Sequence, residues 1–317
     1  MSDSAGTAWL DVARRDWSDD LITATHLHRD QMPDLVEGTE STGKLRSVLA
    51  SRWGMDECPV IAGGAGDNAA SACGVGTVAP GSAFVSLGTS GVLFVSNERF
   101  RPNAESAVHA FCHAIPNTWH QMGVILSAAA SLEWLAGVTG ASAAELAASV
   151  EKQGPEPGSV LFLPYLSGER TPHNDASARG SFVGLAHETD RAALARAVME
   201  GVAFAFADCL AALQAAGTTV ERATAVGGGS RSRAWLQIIA NVLNVPIDAP
   251  AEGDFGGAFG AARLGLIAAE EADPLEVCRP PQVRETVAPD ARATEAYAAA
   301  FRRYRALYPA IKESLRS

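Results

Sequence analysis

The stretch "ATAVGGGSRSRAWLQIIANVLNVPI", beginning at Ala223, restricts the fold more than any other part of the chain. Read in order it is strand, glycine turn, helix, strand. This βαβ-like pattern requires a sheet that is at least partly parallel and covered by helices. A long amphipathic segment precedes it, in which Leu194, Val198, Val202, Phe206 and Leu210 recur every four residues behind the N-cap candidate Asp190. That spacing lays one apolar stripe on a core. Other strands are expected at "PVIAG" (59–63, short and buried), as a hairpin at "AFVSLGTSGVLFVS" (83–96), and as a pair at "AVHAFCHAI" and "WHQMGVIL". "SAAASLEWLAGV" and "SAAELAASVEKQ" have helical composition, and "SVLFLPYL" starts as a strand that Pro164 breaks into the polar loop "SGERTPHNDASARG". "DFGGAFGAARLGLIAA" reads as a helix of small residues. The C-terminal helix carries Tyr297, Phe301, Tyr304, Leu307 and Ile311 on one docking face, and Pro309 should kink it or loosen its last turns.

A chain of 317 residues has room for about two domains. Its 47% hydrophobic and 19% charged content is that of a soluble globular protein, without a run of ~18 apolar residues. "DVARRDWSDD" stands where a signal peptide would need an apolar core, so a cytoplasmic protein is expected, with no membrane partner. The five cysteines show no C-x-x-C spacing, which argues against a zinc site and fits reduced thiols. A net charge of −11 without a basic cluster argues against nucleic acid. An anionic ligand would have to be held by local backbone groups, since the global field repels it.

Four small-residue turns carry the candidate chemistry. In "GGAGDNAASACG" (63–74) a single carboxylate, Asp67, stands among Gly, Ala, Ser and Cys. Asp67 or Asn68 could be an N-cap for a helix from about residue 69. "GTSG" (Gly88, Thr89, Ser90, Gly91) sets two hydroxyls beside free backbone N–H groups, which suits a phosphate as well as an ordinary hairpin turn. "GGGSRS" (227–232) joins a strand to a helix, so its N–H groups face whatever lies over the helix N-terminus. It is neither G-x-G-x-x-G nor a Walker loop. "FGGAFGAA" (255–262) has no polar side chain and suits close helix approach.

The order of these segments resembles the FGGY carbohydrate kinases of the actin/hexokinase/Hsp70 ATPase superfamily, over essentially the whole chain. "AGGAGDNAASACGVG", "SLGTSGV", "LPYLSGERTPHND", "ASARGSFVGL" and "AVGGGSRSRAWLQIIANV" carry the likeness, strongest to members acting on D-xylulose. One departure is Ala193, where a polar residue is usual. The resemblance implies an α/β, actin-like ATPase (RNase H-like) domain, a mixed sheet with helices on both faces, plus a remnant of a second such domain. The expected division is 1–80 (sugar-binding remnant with the base motif), 81–285 (nucleotide-binding) and 286–317 (a helix docking back toward the first domain). It further implies ATP and Mg2+, and transfer to D-xylulose giving the 5-phosphate. Asp67 would be the general base and an indirect metal contact, and Asn68 a sugar contact. Gly88, Thr89, Ser90 and Gly91 would form the phosphate loop, and Gly227, Gly228, Gly229 and Ser232 the adenosine loop. The helices 69–76 and 256–264 would cross at an interdomain hinge.

The family's Asp-x-Gly-Thr/Ser phosphate loop does not occur upstream of Asp67; "EGTESTG" (37–43) reads as a loop without a preceding apolar strand. The chain therefore reads as the C-terminal part of such a kinase, weakly active or inactive alone. Its partner would be a separately encoded N-terminal half or a second copy in a homodimer. Non-catalytic nucleotide binding and a kinase for ribulose, gluconate or glycerol are the other readings. Glu169, Arg170, Thr171 and Asp175 form a polar loop near the implied cleft, as bracing or as ligand contacts. His109, His113 and His120 read as strand residues. Trp9, Trp17, Trp53 and the C-terminal aromatic stripe are expected to be exposed, favouring dimerisation.

Overall fold

The computed structural model describes residues 1–251 and 256–315. Short elements come first: β1 (Leu10–Asp11), β2 (Asp16–Trp17), α1 (Asp19–Ala24), β3 (Ser41–Lys44), α2 (Ser47–Arg52) and β4 (Val60–Ala62). Ser18 caps α1 by accepting from Leu21 N–H, and Asp19 and Asp20 occupy its first turn, where carboxylates suit the helix dipole. Two expectations fail here. Residues 41–43 of "EGTESTG", with Lys44, form a strand, β3, antiparallel to β4. β4 itself is not buried, since Ile61 is 45% exposed; a two-stranded ribbon covers neither of its faces by itself.

α3 (Asp67–Val75) then leads into the main sheet through β5 (Ala83–Leu87), β6 (Gly91–Asn97), β7 (His109–Cys112) and β8 (Trp119–Ile125). After these come α4 (Ala129–Thr139), α5 (Ala143–Glu151), β9 (Leu161–Leu163), β10 (Ser181–Val183) and α6 (Arg191–Ala215). The last third holds β11 (Ala223–Val226), α7 (Arg233–Leu243), β12 (Ile247–Pro250), α8 (Gly257–Glu270), α9 (Pro274–Val277), β13 (Val283–Val287) and α10 (Ala291–Ile311). Seven strands form one mixed sheet in the order β13-β12-β11-β5-β6-β8-β7. β11 is parallel to both β12 and β5, as the strand-turn-helix-strand pattern requires, and the other pairings are antiparallel. The strand β13 crosses residue 285, where a boundary between segments was expected.

Strand alternation feeds two cores. Phe84 and Phe94 stack on one face at 4.8 Å and pack with Ala72 and Val75 of α3. Val85, Leu87, Leu93 and Val95 point the other way, onto α6. The sheet is thus covered on both faces. Asp190 caps α6 through Ala193 N–H as expected, but the helix is buried nearly all round. By length and composition α6 could cross a bilayer, yet 89% of its most apolar window lies inside the protein, so it is a core helix.

α3 and α8 cross in contact. A Cβ on Gly260 would overlap the Ala70 carbonyl oxygen, and Arg263 Nη1 donates to the carbonyls of Cys73 and Gly74. This is the close helix approach expected of the glycine-alanine stretch; its Asp254 and Phe255 lie outside the described residues. α10 departs from expectation, because it packs on α6, α7 and β9 rather than toward residues 1–80. Tyr297, Tyr304 and Tyr308 are buried there, and burying large side chains of this kind contributes about 1.5–3 kcal/mol each. Pro309 stays inside the helix. Trp17 is also buried, with its indole N–H on the Pro33 carbonyl, whereas Trp53 is 60% exposed. The tyrosines of the aromatic stripe are therefore covered by this chain rather than exposed, while Phe301, Leu307 and Ile311 are half-buried.

Candidate active site

Two cavities lie on either side of the turn between β5 and β6. The larger, about 1070 Å³, is bordered by Gly88 and Thr89 on one wall and by Gly228, Gly229 and Ser232 on another. The smaller, about 330 Å³, holds Asp67, Asn68 and Ser90. Residues 23 positions apart in sequence thus meet at one turn: Asp67 opens α3 beside Ser90, and Thr89 faces the opposite side.

The large cavity is built by glycine contacts. Gly227 has φ +86°, and a Cβ there would stand 2.8 Å from the Leu87 carbonyl. A Cβ on Gly229 would meet Leu87 Cβ at 2.9 Å. These two glycines let the turn after β11 sit against the end of β5, which brings the two glycine turns together. Gly228 is different, since nothing lies within 4 Å of its Cβ position and its backbone borders open space. A short 3-10 turn, Gly228–Arg231, follows, and Ser232 then caps α7 by accepting from Trp235 N–H. Alanines 143, 144, 147 and 148 of α5 and Trp134 of α4 make an apolar wall opposite. Such a wall suits a planar base, and sequence reasoning missed it because alanine runs and a lone tryptophan look like ordinary core.

Not every expected residue reaches a cavity. Gly91 starts β6 packed against Phe206 and Ile125, where a Cβ would approach within 2.6–2.7 Å. It is a packing glycine and lines neither space. Gly227 likewise acts through packing, because its missing Cβ faces β5 and not the cavity.

Asp67 is the first residue of α3 rather than its N-cap, a position taken by Gly66. Its Oδ1 accepts from Asn68 N–H at 2.7 Å and from Asn68 Nδ2 at 3.1 Å. The side chain is exposed, and among the described residues its Oδ2 accepts no hydrogen bond. One carboxylate oxygen is thus fixed while the other stays available to a proton or a cation. Among the described residues no group of three or more His, Cys, Asp or Glu could hold a metal.

The loop after β9 supplies the far wall of the small cavity. Thr171 and Glu169 are each 1% exposed and bond to the end of β8, Thr171 Oγ1 accepting from Val124 N–H and Glu169 Oε1 from Leu126 N–H. Burial raises the Glu169 carboxyl to about 8. Asp175 braces the same loop, accepting from Ser177 and Tyr308, and these hydrogen bonds hold its carboxyl well below the usual range. Arg170, between Glu169 and Thr171, is exposed and borders the cavity. His113 and His120 are buried in an aromatic cluster with Phe94, and burial pushes His113 down to about 4. They are strand-region residues, as expected, but His109 and His120 also line the small cavity.

Comparison with known proteins places this architecture. Residues 83–269 match the C-terminal domain of the FGGY family of carbohydrate kinases, and residues 1–74 match its N-terminal domain. The xylulose kinase of Escherichia coli (strain K12) is 49% identical over 310 residues, 97% of this chain and 64% of that protein. The chain therefore spans about two thirds of that relative's length. The crystal structure of a xyloylose kinase from Brucella ovis superposes with a TM-score of 0.96 at 61% identity, covering 99% of this chain and 65% of that one. The xylulose kinase structure from Rhodospirillum rubrum gives 0.86 at 27% identity, covering 97% and 63%. Two cavities meeting at a Gly-Thr-Ser turn, a mixed sheet of the actin-like ATPase type and matches to both domain models have one explanation: the chain belongs to the FGGY family of carbohydrate kinases.

Proposed function

We propose that the chain acts in ATP-dependent phosphorylation of D-xylulose to D-xylulose 5-phosphate. One observation carries this reading: the 88–90 turn stands between a cavity lined by the second glycine turn and a cavity holding Asp67. The large cavity suits a nucleotide. Its open Gly228 backbone leaves room that any side chain would fill, and its alanine and tryptophan wall offers an apolar face. Backbone N–H groups and the Thr89 hydroxyl on the turn would hold phosphate oxygens.

On the other side Asp67 accepts the proton of the sugar hydroxyl whose oxygen attacks the γ-phosphorus, as the bond from that phosphorus to the leaving ADP oxygen breaks. The Asn68 bonds fix one oxygen of the carboxylate, and its free oxygen takes the proton. Asp67 is the residue of this chain that would stand by a magnesium ion, which would supply charge neutralisation for the transferred group; a single carboxylate fits the usual preference of that ion for few protein ligands. Xylulose is the proposed sugar because that is what the E. coli and R. rubrum relatives are named for.

A coupled ADP-release assay with ATP, Mg2+ and D-xylulose, run beside ribulose, gluconate and glycerol, tests the reading. D67N is expected to lower kcat about 10²–10⁴-fold, with ADP affinity by calorimetry within about twofold of wild type. ADP binding without turnover on any sugar by the wild-type chain would reduce the function to nucleotide binding.

A further inference from the structure

Phosphoryl transfer places a doubly charged group where Asp67 already stands, in a protein of net charge −11. Asp3 adds a second carboxylate to the small cavity, and Arg170 is the one cationic side chain among the residues that line it. Its position is fixed by the backbone. Thr171 and Glu169 are buried and bonded to the end of β8, while Arg170 between them is exposed and borders the cavity.

The guanidinium is held as well. Arg170 Nη1 donates to His109 Nε2 at 2.8 Å, which leaves the His109 proton on Nδ1. Burial and the neighbouring guanidinium keep His109 neutral by lowering its pKa. Among the described residues Arg170 has no carboxylate partner, so most of its donors are unspent.

A second observation points to a ligand in the same place. His120 is 2% exposed, lines this cavity and stacks on Phe94 at 4.5 Å, yet neither ring nitrogen has a hydrogen-bond partner. A buried imidazole without partners is costly, and this one stands at the wall of the cavity that Arg170 borders.

We propose that Arg170, bracketed by His109 and backed by His120, recognises the phosphoryl group on the sugar side, both as it leaves the nucleotide and in the phosphorylated product. This rests on the kinase reading above. Guanidinium suits the role because its planar fork can take two phosphate oxygens at once, and an exposed loop residue can still reach a group that Asp67 would otherwise repel.

Calorimetry with D-xylulose 5-phosphate, inorganic phosphate, D-xylulose and ADP tests this on wild type, R170M, R170K and H109A. R170M should weaken D-xylulose 5-phosphate and phosphate by about tenfold or more, since a charge-assisted bidentate pair is lost. R170K should recover part of that affinity, and H109A should lose less than R170M. D-xylulose and ADP should stay within about twofold throughout, which a merely structural defect in the loop would not allow. Equal affinity of R170M and wild type for D-xylulose 5-phosphate, or no binding of either phosphate probe by wild type, overturns the proposal. Phosphate binding that depends on Arg170 without any ADP binding would instead overturn the kinase reading and leave this anion site standing.

Discussion

Glu169 shows what one buried carboxyl does to the site it supports. Its Oε1 accepts from the N–H groups of Leu126 and Arg170, while Oε2 is buried without a partner. Desolvation dominates and raises its pKa from 4.5 to about 8. The folded state therefore holds this proton where the unfolded chain has released it. Its stabilising effect is full below about pH 4.5, falls as pH rises and is gone above about 8. E169Q keeps an acceptor toward Leu126 and cannot ionise. Thermal melts should show it gaining on wild type steadily from pH 5 to 8, with the gap constant above that; a gap independent of pH would contradict the assignment. Asp67 stood out in the sequence as an isolated carboxylate among small residues, and its role as a base is what the family resemblance implies. Glu169 and His120 did not stand out, since burial and missing partners are properties of packing.

At the scale of elements, the small-residue helices decide where Asp67 stands. α3 and α8 approach so closely that the Ala70 carbonyl occupies the space of a Gly260 side chain. Because α3 begins at Asp67, any separation of the pair moves the carboxylate relative to Ser90. G260A should gain a little helix propensity but lose more through overpacking, for a net destabilisation of about 1–3 kcal/mol. Urea unfolding would measure it, and an unchanged midpoint would show that the helices part without cost. The sequence announced close approach here by its lack of bulk. It did not announce that Gly227 and Gly229 have the same task at the wall of the large cavity, because a glycine that binds and a glycine that packs are written with the same letter.

Across the whole molecule, one buried network joins three distant segments. Arg196 on α6 bonds Gln153, the carbonyls of Gly154 and Glu156, and Glu200, whose carboxylate also accepts from Gly158 N–H and from the Tyr297 hydroxyl of α10. Arg196 is 5% and Glu200 1% exposed. Removing the cation leaves Glu200 buried and uncompensated, so R196A should cost about 3–5 kcal/mol, read by chemical denaturation. A loss below about 1 kcal/mol would mean that the network adds little to the fold. The same network corrects the expected place of α10. A helix pattern shows which face is apolar, not which partner covers it.

Sequence alone determined the long helix α6 with its cap at Asp190, the parallel pairing around β11, and the glycine turns after β5 and β11. These follow from local periodicity and turn propensities, which act over a few residues. Only the tertiary structure decided that Gly91 and Gly227 pack rather than line a cavity, that the tyrosines of α10 are covered by α6, α7 and β9, and that Arg170 borders the same space as Asp67. Each of those depends on which surfaces meet across more than a hundred residues of chain or across a sheet, and the covering surface is not written next to the residue it covers.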